Sequence, residues 1–211
     1  MDRIVSTASI KDAENCRSFV VFDTETTGLY PWRDKLVEIG AVRFRNGEPV
    51  ETFHSMIDPG IHIPENVSQI NHITDDMVAG APTAEEVIAA FDEFVGTDDI
   101  VGHNVDFDLR FIQSAGSALP DKSRRYFDTA ELARQMVKGP DKVFDQATVK
   151  WRNDYNSQYE VKGHSLGTMC EFYGIEHGQL HRADVDALAT GKLMVAMMKD
   201  TERIRKGSGK S

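Results

Sequence analysis

Four consecutive apolar residues, Phe19-Val20-Val21-Phe22, run directly into two carboxylates, Asp23 and Glu25, before Thr26-Thr27-Gly28 turns the chain. An unbroken apolar run of this length, closed by a turn signal, reads as a strand buried on both faces. Such a strand needs layers above and below it, which points to the interior of an α/β sheet. Residues two apart on a strand share a face, so Asp23 and Glu25 leave its end side by side. Like charges that close repel unless a cation lies between them. Carboxylate oxygens suit hard ions, magnesium or manganese. Taken alone, the pair fits two acids in a surface turn as well.

The rest of the pattern supports that sheet. Lys35 to Arg45 and Val50 to Ile57 read as further strands, with Asn46-Gly47 as a hairpin signal and Glu48 and Pro49 lengthening the loop. Residues 64–70 and 74–78 read as short helices. Thr83-Ala84-Glu85-Glu86 is a capping box, followed by Val87, Ile88, Phe91, Phe94 and Val95 at helical spacing. Ile100-Val101-Gly102 and Tyr126-Phe127 read as strands, and 105–115, 129–137, 165–173 and 183–198 as helices. Residues 138–163 are polar, with Gly, Pro and Asn, and read as a flexible loop or insertion.

Two further stretches carry acids. In Gly102-His103-Asn104-Val105-Asp106-Phe107-Asp108, a turn of ~100° per residue puts Asp108 in the arc of Phe107, Phe111, Ile112 and Ala115. Asp106 falls on the far side with Arg110 and reads as solvated. A buried Asp108 needs a metal or hydrogen-bond donors. In His181-Arg182-Ala183-Asp184-Val185-Asp186 periodicity does not choose between Asp184 and Asp186, because the helix that follows is apolar nearly all round.

Composition bounds the class. The 211 residues suit one domain with tails, and 40% hydrophobic content is enough for a sizeable core. With 24 basic against 34 acidic residues the net charge is −10, which argues against wrapping a duplex by charge alone. Cys16 and Cys170 are too few for a disulfide framework or a zinc site, so a reducing, cytoplasmic setting is expected. No run is long enough to span a membrane, and Met1 to Arg17 lacks the apolar core of a signal peptide. The expected organisation is a lead-in over 1–17, one domain over 18–198, and a basic Gly/Ser-rich tail over 199–211. Gly207-Ser208-Gly209-Lys210-Ser211 lacks the opening Gly of a P-loop and is not read as one. Gln146 to Trp151 loosely resembles a polymerase-clamp peptide.

Phe22-Asp23-Thr24-Glu25-Thr26-Thr27-Gly28, His103-Asn104-Val105-Asp106-Phe107-Asp108 and His181-Arg182-Ala183-Asp184-Val185-Asp186 together resemble the three ordered motifs of the DEDDh exonucleases, the DnaQ-like superfamily of polymerase proofreading subunits and ribonuclease T. The resemblance covers residues 18 to 198. It implies a ribonuclease H-like α/β fold, with a mixed five-stranded sheet flanked by helices. It implies Asp23, Glu25, Asp108 and Asp186 as ligands of two divalent cations, magnesium or alternatively manganese, and His181 as general base. It implies substrate contacts at Thr26, Gly28, Leu29, His103, Asn104 and Asn71, with Leu29 against the terminal base or sugar. Where the family commonly shows Gly after His or Asn, this chain has His72 after Asn71. The implied activity is metal-dependent 3′–5′ release of nucleoside 5′-monophosphates from single-stranded or frayed DNA ends. Trimming of RNA 3′ ends, or service as a subunit docked on a DNA polymerase, are the alternatives. Oligomeric state is not legible.

Overall fold

The strand read first lies at the centre of the sheet. The structure, a computed structural model, describes residues 4–13, 16–120, 123–146, 148–200 and 203–204. Strand β1 (Ser18–Thr26) pairs antiparallel with β2 (Leu36–Arg45), and β2 with β3 (Glu48–Met56). On its other edge β1 runs parallel to β4 (Asp99–Gly102), and β4 parallel to β5 (Tyr126–Asp128). The order β3-β2-β1-β4-β5 is the mixed five-stranded sheet expected from the sequence. The β2–β3 turn is tighter than expected. Asn46 and Gly47 both take positive φ, 52° and 87°, Arg45 pairs with Glu48, and Glu48 and Pro49 belong to the strand. Two left-handed residues match the twist of a two-residue hairpin, which is why Asn-Gly serves there.

Helices cover both faces: α1 (Ile10–Ala13), α2 (Glu65–Asn71), α3 (Asp75–Val78), α4 (Ala84–Val95), α5 (Val105–Ser114), α6 (Thr129–Met136), α7 (Leu166–Tyr173) and α8 (Ala183–Lys199). The capping box is formed: Thr83 Oγ1 accepts from the Glu86 N–H, and Glu86 accepts from the Thr83 N–H. Alternation along β1 divides the core. Phe19 and Val21 pack with Val42, Phe44, Leu193 and Met194 on the α8 side. Val20 and Phe22 pack with Ile39, Phe91, Leu109 and Phe111 on the α4–α5 side.

Residues 138–163 are not a structureless loop. They contain an antiparallel ribbon, β6 (Asp141–Asp145) and β7 (Lys150–Asp154). Both faces of the ribbon are largely exposed, so no alternation of burial marks it in the sequence. The polar lead-in also contributes to the core through Val5, Ile10, Ala13 and Cys16. Past α8, Arg203 pairs with Glu160 and Asp200, and Ile204 is buried. The remainder of the basic tail, with Arg205, Lys206 and the Gly207–Ser211 stretch, lies outside the described residues. Among the described residues no helix is long and apolar enough to cross a membrane.

One face of β2 seats α8. Residues Glu38, Gly40, Val42 and Phe44 alternate toward it. A Cβ on Gly40 would lie 2.3 Å from the Ala183 carbonyl carbon and the Asp184 nitrogen, and one on Gly191 would lie 2.1 Å from the Phe44 ring. These two glycines let the helix lie against the strand backbone, one at its first turn and one further along. Gly40→Ala is expected to cost roughly 2–3 kcal/mol, or about 5–10 °C of melting temperature, because backbone rather than a side chain must yield. Thermal melts check this; an unchanged melting temperature contradicts the close approach.

Candidate active site

The parallel strand β4 stops at Gly102, beside the middle of β1. Beyond it, the β1 edge has no strand partner on that side among the described residues, and Asp108 from the first turn of α5 takes the place. Its Oδ1 accepts from the Thr24 N–H at 2.9 Å and from Thr24 Oγ1 at 2.7 Å. Asp108 is buried, as the helix geometry indicated. Asp106 points away, but it is paired rather than freely solvated: it accepts from Arg110 Nε and from the Ile4 N–H of the lead-in.

On the opposite edge, a bulge falls between Glu25 and Thr26, where Glu25 faces Glu38 and Thr26 faces Leu36. The extra residue, Val37, packs with Ile63, Ile73 and Val78 and ties down the segment that carries Asn71. Bulges beside sites re-aim side chains, and here the bulge follows Glu25 immediately. Asn71 is buried at the end of α2, where its Oδ1 accepts from the Ile73 N–H at 3.1 Å and its amide lies close enough to Glu25 to favour the ionised carboxylate. Asn71 therefore favours the charged form of Glu25 as well as lining the cleft, an influence the motif comparison did not supply. His72 sits at φ 60° as the left-handed cap of α2, with its ring exposed. That conformation is why glycine suits the position. His72→Gly is expected to raise stability by ~1 kcal/mol, read as a higher denaturant midpoint at unchanged slope; a lower midpoint contradicts this reading.

Sequence reasoning missed Glu38. It is fully buried, and its carboxylate accepts from Arg182 Nη2 at 2.6 Å, His54 Nε2 at 2.8 Å and the Ala183 N–H at 3.0 Å. Burial alone would raise its pKa, but these bonds hold it below the usual carboxylate value. Glu38 thus caps α8 from the neighbouring strand and fixes Arg182. An isolated acid inside the apolar stretch Leu36-Val37-Glu38-Ile39 was the available signal.

The clamp sets the third motif in place. His181 adopts φ 70°, so its N–H donates to Asp186 Oδ2 at 3.2 Å while its ring stays exposed. Asp186 is buried and Asp184 exposed, a choice periodicity could not make. One ligand atom each of Glu25, His181 and Asp186 lies within 4.8 Å of the others.

The electrostatics are unfavourable throughout. Burial, then Asp108, Asp186, Glu25 and Glu38, push the Asp23 carboxyl well above its usual range. Burial, with Asp186 and Glu38 next, pushes Glu25 up to about 8. Burial raises Asp108 to about 7 against the hydrogen bonds from Thr24, and burial also raises Asp186. The Oδ1 atom of Asp186 is buried with no hydrogen-bond partner among the described residues. An orphaned carboxylate oxygen beside three further carboxylates is costly as it stands; a hard divalent cation supplies both the missing partner and the missing charge. The donor set therefore fits such ions.

A cleft of about 580 Å³ opens beside Glu25, bounded by Thr26, Gly28, Leu29, Tyr30, Ile70 and Asn71 among others. Thr26 Oγ1 donates to the Gly28 carbonyl at 2.6 Å, and a Cβ on Gly28 would strike the Asp34 carboxylate at 2.3 Å. Asp34 in turn accepts from the Tyr30 N–H at 2.8 Å. This laced turn holds Leu29 out at 71% exposure. His103 is bound on both ring nitrogens, to Thr129 Oγ1 at 2.9 Å and the His164 carbonyl at 3.0 Å. Asn104 is exposed and left-handed at φ 69°.

A family model described as Exonuclease (RNase_T) matches residues 20–194, and the chain belongs to this exonuclease family. It is 36% identical over 192 residues to a PolC-type DNA polymerase III of Bacillus cereus, and 35% identical over 188 residues to that of Lacticaseibacillus paracasei. These alignments take in 90% and 88% of this chain but 12% of each relative, so the chain spans about an eighth of their length. Among solved structures, exonuclease X in complex with 5′ overhanging duplex DNA superposes with a TM-score of 0.64 at 24% identity, over 87% of this chain and 93% of that one. E. coli exonuclease I in complex with a dT13 oligonucleotide superposes at 0.70 and 17% identity, over 90% and 42%. The shared fold is the ribonuclease H-like one.

Proposed function

We propose that this domain is a metal-dependent 3′–5′ exonuclease acting on single-stranded or frayed DNA ends. The observation that carries the reading is the buried Asp186 oxygen without a partner, set among Asp23, Glu25 and Asp108. These four carboxylates would hold a pair of divalent cations, magnesium being the first candidate. Bound there, such ions lower the pKa of water and stabilise the charge that builds on phosphorus and on the leaving oxygen.

This chain's own residues do the rest. Thr24 fixes Asp108 with two hydrogen bonds, so one of the ligands is oriented before any ion arrives, and Asn71 beside Glu25 favours its ionised form. Glu38 and Arg182 hold the turn at His181, whose imidazole accepts the proton of the attacking water and can return it to solvent from its exposed position. Leu29 and the Tyr30–Trp32 pair, with ring centroids 5.0 Å apart, offer the terminal base an apolar face. Cleavage between the 3′ oxygen of the penultimate nucleotide and phosphorus frees a nucleoside 5′-monophosphate. The net charge of −10 is compatible, because gripping a strand end needs few phosphate contacts. The oligonucleotides bound by exonuclease I and exonuclease X favour DNA, and the PolC-type relatives favour proofreading beside a polymerase. The match over 20–194 supports a catalytic unit of about 18–198.

The test is digestion of 5′-labelled single-stranded DNA and RNA in magnesium, then in excess chelator. The expected result is a ladder shortening from the 3′ end, faster on DNA and stopped by chelation. Full activity in chelator overturns the reading.

A further inference from the structure

A second cavity, of about 550 Å³, lies between the β6–β7 ribbon and the start of α5. Its wall includes His103 and Asn104, and Phe107, three residues on, lines the cleft beside Glu25. Its charge is opposite to that of the chain. Arg134, Lys142 and Lys162 line it, and among the described residues no Asp or Glu does. Arg134 and Lys162 are exposed and make no ion pair among the described residues. A net charge of −10 leaves few places where unpaired cations converge without an acid.

The ribbon extends this cavity outward. Opposed residues of an antiparallel pair share a face, as do residues two apart. Lys142 opposes Asn153 and Phe144 opposes Trp151, so one face reads Lys142 and Asn153 at the cavity, then Phe144 and Trp151 beyond. The acids of the ribbon, Asp141, Asp145 and Asp154, fall on the other face by the same register. Phe144 and Trp151 meet edge-on at 5.4 Å between ring centroids and are 43% and 67% exposed. Aromatics on so exposed a ribbon serve no core.

We infer that this cavity and the Phe144–Trp151 face guide the strand upstream of the cut, with phosphates on Arg134, Lys142 and Lys162 and a base stacked against Trp151. The inference rests on the nuclease reading above. Cations that follow a backbone, continued by an aromatic platform, are how single strands are held without sequence preference. The guide would keep the polymer near the cleft as each terminal nucleotide leaves.

The experiment compares the full chain with Arg134→Ala/Lys162→Ala and with Trp151→Ala on two substrates. One is an oligothymidylate of about 20 nucleotides; the other is the p-nitrophenyl ester of thymidine 5′-monophosphate, too small to reach the ribbon. For the double variant, KM on the oligonucleotide is expected to rise about tenfold, and its logarithmic salt slope to flatten by about 1.4, two phosphates at ~0.7 each. Trp151→Ala is expected to weaken the oligonucleotide about tenfold with the salt slope kept. Turnover of the small ester should stay unchanged in all of them. Unchanged oligonucleotide KM and salt slope overturn the guide, as does an equal loss on both substrates. Loss of polymerase-clamp binding in Trp151→Ala with oligonucleotide KM unchanged gives the ribbon to a protein and also overturns it. If the parent releases no nucleotide from either substrate, the nuclease reading fails. Fluorescence anisotropy of a labelled oligothymidylate in chelator then still reads the guide: weaker binding by the double variant supports it, and equal binding overturns it.

Discussion

Asp23→Asn is expected to abolish nucleotide release and, in the same protein, to raise the melting temperature of the metal-free form. The loss should be at least about a thousandfold, ~4 kcal/mol of transition-state stabilisation, because the proposed metal ligand loses its charge while its shape is kept. The gain follows from the surroundings of Asp23. Its strongest electrostatic neighbours are four other carboxylates. Whether Asp23 ionises against them or takes up a proton to escape them, the folded state bears a cost the unfolded chain does not. An amide bears neither. Relief of ~1–2 kcal/mol would appear as roughly 3–6 °C. Release assays and melts in chelator check both halves. A structural carboxylate would lose stability on the same substitution, so the sign of the melting shift separates a site built for ions from one built for packing.

The metal-free protein should also lose stability as pH rises from 5 to 8. Glu25 moves from its ordinary 4.5 to about 8, Asp108 from 3.8 to about 7, and Asp23 and Asp186 move the same way. Between those limits the folded chain holds more protons than the unfolded one, so stability falls with increasing pH, through about 7 for Asp108 and about 8 for Glu25. Carboxyls held low by hydrogen bonds, such as Glu38 and Asp98, lose their contribution only on the acid side of this window. His103, lowered by burial, works in the opposite direction, but it is one group against four. A drop on the order of 5 °C in chelator is expected. Added magnesium should remove most of it at pH 8, because ions favour the ionised carboxylates. A flat profile, or one unmoved by magnesium, counts against the electrostatic picture.

The parts legible in the sequence are those whose signal is local. The apolar run ending in Asp23 and Glu25, the capping box at Thr83, and the arc that buries Asp108 each need only a few neighbouring residues. Asp186 was not legible on its own, since α8 is apolar nearly all round. What selects it is the seat on β2, where Glu38 meets Ala183 across 145 positions of chain and Gly40 admits the helix backbone. Asn71 is a substrate contact by resemblance, yet its place beside Glu25 depends on a bulge that anchors Val37 elsewhere. The β6–β7 ribbon escaped notice because it buries neither face, so the alternation that reveals strands is absent. Asp106 reads as solvated because one of its two partners, the Ile4 N–H, comes from a lead-in with no pattern of its own.

Manganese binding, counted by the loss of the free-ion electron paramagnetic resonance signal at pH 7.5, bears on the whole account most directly. The wild-type chain should take up about two ions, and Asp23→Asn should lose both. Equal uptake by the two proteins, or none by the wild type, would mean that these carboxylates were not gathered to hold metal.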